Sequence, residues 1–280
     1  MLRPWCLMVS LVLLSLAGRA VALQLPSPIS LAKDASLRSQ TVEVIEPHAT
    51  TLERPVRIAY VGVPMREALT RWFGESWQRP GTEVVFLAED GYASAIPAEK
   101  LARQPAYLTY ARADGAPFEL DNWEQRERVP LAPYYLVWDN LRVPALQHDG
   151  SSGWPYQVTH IRLRQPGDDA ALRLPHADLE TALGLKDTVT NCLTCHHLRG
   201  FGGEKFHEDL SVSLCRWPDA ELVRWMLEPS RFRPGTSMPA LNRAWPDEER
   251  RLVAHRIARY LDGVRRSDPR ICARDAGKPH

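Results

Sequence analysis

The chain has 280 residues, a length that allows one or two domains. Its 44% hydrophobic and 25% charged residues describe a folded globular protein, not a disordered or fibrous one. With 35 Lys and Arg against 34 Asp and Glu, the formal charge of +1 excludes the broad basic surface of a nucleic-acid binder.

Residues 1–22 read as a cleaved export signal. Arg3 precedes an apolar stretch over 5–17, and Ala20, Val21 and Ala22 form a small-x-small cleavage pattern. The stretch is about 13 residues, where a membrane span needs about 20. Leu23 follows the cleavage pattern where a lipoprotein would have Cys. Cleavage would remove Arg3, Arg19 and Cys6 and no acid, leaving 33 basic and 34 acidic residues. The chain is therefore expected in a periplasmic or otherwise exported compartment, where disulfides are permitted. No later segment is long and apolar enough to span a membrane, so no span is expected after cleavage.

Residues 23–50, with Pro26, Pro28 and Pro47, predict an extended lead-in. A first domain is expected over 51–166. Its predicted strands are 56–61, 83–88, 106–111, 134–138 and 156–163, each rich in β-branched and aromatic residues. Met65, Leu69, Trp72 and Phe73 have helical spacing after Pro64, with Gly74 as the stop. Asp90, Gly91 and Tyr92 form a turn with Tyr92 packed or hydrogen-bonded at its end. Strands outnumber helices, so this part reads as mainly-β or α+β. Residues 167–177 read as a linker, 178–265 as an all-α domain and 266–280 as a tail. Within 178–265, Pro218 opens a helix that stops before Pro229. Pro246 with Asp247, Glu248 and Glu249 starts another, with a stripe of Val253, Ile257, Tyr260 and Leu261 and Gly263 as its stop. A helix over 178–190 is expected to be short or irregular, because it contains Gly184 and the β-branched Thr188, Val189 and Thr190.

Cys192, Leu193, Thr194, Cys195 and His196 spell C-x-x-C-H. Two thiols at this spacing can each add across a haem vinyl group, and the adjacent imidazole then reaches the iron. A thioredoxin-type pair would instead sit in a βαβ setting. A zinc site would need a second ligand pair, and the chain has no other C-x-x-C. For the sixth iron ligand, Met238 lies in a stiff loop with Pro234, Gly235 and Pro239, where core filling does not explain a methionine. Met226, among Leu222 and Trp225, reads as core. His207 is the rival ligand, and His197 adjoins the proximal histidine too closely to reach the opposite face. Arg231 and Arg233 precede the Met loop and are candidates for haem-propionate or acidic-partner contacts. Cys215 and Cys272, the two thiols left over, are expected to pair. His148 and His160 read as surface or satisfied core residues rather than metal ligands.

These residues resemble class I mono-haem cytochrome c over about 178–263. The run is C-x-x-C-H, then Asp209 and Leu210, then Leu227, Glu228 and Pro229, then Pro-Gly-Thr-x-Met-Pro, then Tyr260 and Leu261 in a closing helix. The resemblance implies an α-helical fold around one covalent haem c, His196 and Met238 as axial ligands, and one-electron transfer. Residues 56–163 resemble the sulfite-oxidase-like molybdopterin-binding domain. The matching segments are Gly62, Val63 and Pro64, the run over 85–92, Ala113 to Gly115, the run over 130–134, and Trp154 to Tyr156. That family holds molybdenum through a Cys thiolate, and no Cys lies between Cys6 and Cys192, so molybdopterin is not expected.

The reading is an exported haem-bearing electron carrier, with a non-catalytic first domain that docks a redox partner protein. Two alternatives stand beside it: a cytochrome-linked molybdenum oxidoreductase of sulfite-dehydrogenase type, and a redox-sensing or assembly factor.

Overall fold

The structure is a computed structural model that describes residues 22–51, 54–122, 127–217, 219–243, 245–268, 270 and 272. The expected export signal up to residue 21, Pro218, and residues 273–280 of the expected tail lie outside that set.

The chain opens with β1 (Leu23–Gln24) and α1 (Pro28–Ala32), whose first turn is capped by the Ser27 hydroxyl accepting from Ser30 N–H at 3.2 Å. β2 (Gln40–Ile45) pairs antiparallel with β3 (Arg57–Pro64), setting Val42 opposite Tyr60. Residues 23–50 are therefore built into the first core, not an extended lead-in. Leu25, Leu31, Leu37, Val42 and Val44 are all buried there. α2 (Met65–Phe73) has the expected bounds. Gly74 ends it at φ +58°, a conformation that costs a side-chain-bearing residue free energy.

β4 (Glu83–Ala88), β5 (Ala93–Pro97), α3 (Ala98–Arg103), β6 (Ala106–Arg112), β7 (Glu119–Asn122), β8 (Glu127–Pro130), β9 (Tyr135–Trp138) and β10 (Val158–Arg164) follow. They complete two four-stranded antiparallel sheets, ordered β1-β10-β4-β5 and β2-β3-β6-β9, and a two-stranded β7-β8 ribbon. Tyr60, Val84, Phe86, Leu108, Tyr135 and Ile161 are fully buried in the shared core. Each large apolar side chain buried in this way contributes roughly 1.5–3 kcal/mol.

β10 leads on to α4 (Leu179–Asn191), β11 (His197–Leu198), β12 (Phe201–Gly202), α5 (Leu210–Ser213), α6 (Asp219–Leu227), α7 (Pro229–Phe232) and α8 (Asp247–Ser267). The expectation of a mainly-β or α+β domain followed by an all-α domain does not hold. The fold is mixed α/β and dominated by antiparallel sheets, with no distinct all-α C-terminal domain. Two local features explain the difference. Arg199 and Gly200 take φ of +52° and +76°, which reverses the chain and forms the β11–β12 hairpin among the helices. The segment around that hairpin also bonds to the turn between β4 and β5, so its backbone is satisfied by the sheet rather than by helices.

α4 is a regular 13-residue helix, not an irregular one. A Cβ on Gly184 would lie 2.2 Å from the Arg256 carbonyl, so the glycine permits α4 and α8 to touch backbone to backbone. Gly263 does not stop α8, which runs through it to Ser267. A Cβ there would meet Leu174 Cδ1 at 2.7 Å, so this glycine too serves close packing. Cys215 and Cys272 form a disulfide with a Cα–Cα distance of 5.4 Å, tying the end of the described chain to the turn after α5. No helix among the described residues is long and apolar enough to cross a membrane.

Candidate functional site

α4 carries its hydrogen bonding past its own end. Cys192 N–H donates to Thr188 O at 2.8 Å, and Cys195 and His196 N–H both donate to Cys192 O, at 3.2 and 3.0 Å. C-x-x-C-H is thereby wound into a turn, with Leu193 buried in a second hydrophobic cluster that includes Leu172, Leu198, Ile257 and Tyr260. Cys192, Cys195 and His196 line a cavity of about 940 Å³, at the upper end of the range typical of ligand sites. Met238 lines the same cavity from another part of the chain.

The Met238 loop is held by three contacts. Thr236 N–H donates to Arg233 O (3.1 Å), Met238 N–H to Thr236 Oγ1 (3.2 Å) and Leu241 N–H to Met226 O (2.9 Å). Gly235 at φ +78° makes the turn that the first of these closes. Met226, read as core, is buried in the second cluster and also reaches the cavity wall. His207 is exposed and absent from the cavity lining, so Met238 and not His207 shares a cavity with His196. Arg233 lines the cavity. Arg231 points outward and pairs with Glu228 at 3.1 Å. His148 lies 3.9 Å from Glu249, and His160 bonds the Thr159 hydroxyl at 3.0 Å.

Burial sets the protonation state of these groups. It pushes the Cys192 thiol up to about 12, helped by the neighbouring Cys195 and Asp187, and raises Cys195 too. Burial and the adjacent His197 lower the pKa of His196, so its ring is neutral and one nitrogen carries a lone pair. The ring stacks on Phe206 at 5.0 Å, and its Nδ1 is buried without a hydrogen-bond partner among the described residues.

Sequence reasoning missed the opposite wall, which comes from the first half of the chain. Tyr92, Trp154, Tyr156 and His48 all line the cavity. Asp90, Gly91 and Tyr92 form the expected turn, and this turn packs directly on the cysteine motif. Ala93 N–H donates to Thr194 O at 2.7 Å, Glu204 N–H donates to Gly91 O at 2.8 Å, and Lys205 Nζ meets Asp90 Oδ2 at 2.7 Å. The Tyr92 phenol pKa is raised by burial and by nearby Cys195. His48 Nε2 donates to Trp154 O at 3.3 Å. Its backbone N–H bonds the fully buried Glu46, which also accepts from the Tyr60 and Tyr135 hydroxyls. These residues are scattered over more than a hundred positions and share no motif, so no local signal marks them.

Among the described residues, no group of three or more His, Cys, Asp or Glu is placed to hold a metal ion by itself. A haem iron needs less from the chain, because its ring supplies four ligands. Two thiols, a neutral imidazole and a thioether around one large, mostly apolar-walled cavity fit that group. No protein-family model matches the chain, and no curated protein matches it.

Proposed function

We propose that the chain is an exported haem-c electron carrier, passing single electrons to or from a redox partner protein. Cys192 and Cys195 would hold the haem by thioether bonds, and His196 and Met238 would hold its iron. The observation that carries this reading is that all four side chains, from two segments far apart in sequence, line one cavity. When bound, the haem supplies a one-electron iron couple.

The chain's own residues set the conditions. The neutral His196 offers a lone pair without first losing a proton. Met238 would add a neutral sulfur donor, which would favour the reduced state of the bound iron. Trp154, Tyr156 and Tyr92 line the cavity with aromatic surface contributed by the first half of the chain. With His196 and Met238 both holding the iron, the site would suit electron transfer rather than substrate binding. Export by the signal read over 1–22 would put the chain where covalent haem attachment takes place.

The test of the ligand assignment is Met238→Ala. The variant is expected to lose the ferric sulfur-to-iron charge-transfer absorption while retaining covalent haem. A spectrum unchanged by the substitution would refute Met238 as the ligand.

A further inference from the structure

Two arms of the first half of the chain reach the cavity, and each holds one of the two segments assigned to the haem. The first arm is the β4–β5 turn. Its Gly91 and Ala93 share main-chain bonds with Glu204 and Thr194, and its Asp90 pairs with Lys205 at 2.7 Å. It fixes the cysteine motif, and with it His196. The second arm is the segment 149–154, which contributes Ser151, Ser152 and Trp154 to the cavity wall. The Asp149 carbonyl accepts from Asn242 Nδ2 at 3.1 Å, and Asn242 lines the cavity four residues after Met238. The approach is close, because a Cβ on Gly150 would lie 2.8 Å from Asn242 Oδ1.

Both arms belong to one frame. Asp149 is anchored by Lys100 of α3, whose Nζ lies 2.6 Å from Asp149 Oδ2 and 4.7 Å from the centre of the Trp138 ring. The buried Trp138 donates its indole N–H to Gly153 O at 2.7 Å, so this arm is held at both ends. Beyond Tyr156, Gln157 O accepts from Glu89 N–H at 3.0 Å, beside the β4–β5 turn. Val158 of β10 then pairs with Ala88 of β4. The two arms are therefore joined by the backbone hydrogen bonds of a single sheet. On the Met238 side, Leu241 N–H donates to Met226 O at 2.9 Å, and Leu241 O accepts from Arg250 Nε at 3.2 Å. These bonds tie the residue before Asn242 to α6 and α8.

We infer that the first half of the chain is a clamp on Met238, with Asn242 as the positioning residue through which the 149–154 arm holds the methionine segment. For Met238 to leave the iron its loop must shift, and Asn242 must give up the Asp149 carbonyl. Removing that bond raises the population of the released state, and a competing ligand gains apparent affinity in proportion. One net hydrogen bond corresponds to about fivefold to tenfold. This inference rests on the haem-carrier reading and adds to it a role for the first half: keeping small donor molecules off the iron.

The test uses full-length, haem-loaded ferric protein titrated with imidazole, a neutral nitrogen donor that competes with a thioether for iron. Covalent haem is measured first, by a pyridine haemochrome spectrum, and binding is followed as loss of the sulfur-to-iron absorption. Asn242→Ala is expected to bind imidazole about fivefold to tenfold more tightly than wild type, and to keep the absorption when imidazole is absent. The same is expected of the near-isosteric Asn242→Asp, which sets a carboxylate against the Asp149 carbonyl. Lys100→Met frees Asp149 from α3 without altering Asn242 and is expected to give a smaller gain; it decides the matter if neither Asn242 variant folds. Asn140→Ala is the comparison. Asn140 is buried in the first core, bonds Ile45 N–H and O at 2.9 and 2.7 Å, and is absent from the cavity lining. Its loss is expected to lower the urea midpoint and to leave imidazole affinity within about twofold of wild type. Unchanged affinity in the Asn242 variants, or an equal gain in Asn140→Ala, overturns the clamp while leaving the haem assignment standing. Wild-type protein without covalent haem, or without the absorption, overturns the carrier reading, and this inference with it.

Discussion

The backbone N–H of Ala93, at the start of β5, donates to the carbonyl of Thr194, inside the C-x-x-C-H turn, at 2.7 Å. Two segments a hundred residues apart thus share a main-chain bond at the centre of the candidate site. The seam is close throughout. A Cβ on Gly203 would lie 2.2 Å from the Thr194 carbonyl and 3.1 Å from that of Gly91.

Gly203→Ala is therefore expected to destabilise the protein by about 1–3 kcal/mol, since backbone on both sides has no room to yield. Gly115→Ala is the comparison. Gly115 has the positive φ that Gly203 lacks, at +73°, but a Cβ there meets nothing within 4 Å, so the cost is about 1 kcal/mol of backbone strain. Urea unfolding of the two variants measures both. Equal losses would count against a tight seam.

Asp187 gives a prediction about pH. Its Oδ2 is buried without a hydrogen-bond partner among the described residues, and burial raises the pKa of its carboxyl above 3.8 despite nearby Arg256 and Lys186. A carboxyl whose pKa is higher folded than unfolded binds more protons in the native state. It favours the native state fully only below its unfolded pKa, and that contribution is lost as pH rises through the folded value. Asp187→Asn removes the buried charge, so its denaturation midpoint is expected above wild type at pH 7 and to converge with it below pH 3.8. A midpoint unchanged or lowered at neutral pH would show the carboxylate to be satisfied.

The Cys215–Cys272 bond closes a loop with a sequence separation of 57. Loop-closure entropy puts its contribution at up to about 4 kcal/mol. Cys215→Ser is expected to lower the unfolding midpoint, and mild reduction of wild type to lower it equally. Peptide mapping under non-reducing conditions that finds both thiols free would remove the basis for the effect.

Much of this architecture can be read from local pattern. Met65, Leu69, Trp72 and Phe73 with Gly74 mark α2 to the residue, and the run Glu83–Ala88 is β4 as expected. Such elements announce themselves because one face is buried and a breaker follows. β5 does not, since its Ala, Ser and Pro carry little strand preference and it is held by pairing with β4. Gly184 and Gly263 look like helix breakers from sequence. In the fold they are contact points, and only the neighbouring Arg256 and Leu174 reveal this. The all-α expectation fails for the same reason: helical periodicity over 178–265 says nothing of the short β11–β12 hairpin or its attachment to the sheet. At the site, the cysteine motif and Met238 are legible because their chemistry needs fixed spacing or an unusual loop. Tyr92, Trp154 and His48 are ordinary residues until the fold brings them to one cavity.

The most direct test of the haem-carrier reading is the intact mass of the chain, expressed with its own first 22 residues and with haem-attachment machinery, then denatured and alkylated. The expected product begins at Leu23, carries one haem that survives denaturation, and has neither Cys192 nor Cys195 alkylated. A chain of haem-free mass with both cysteines alkylated would contradict it.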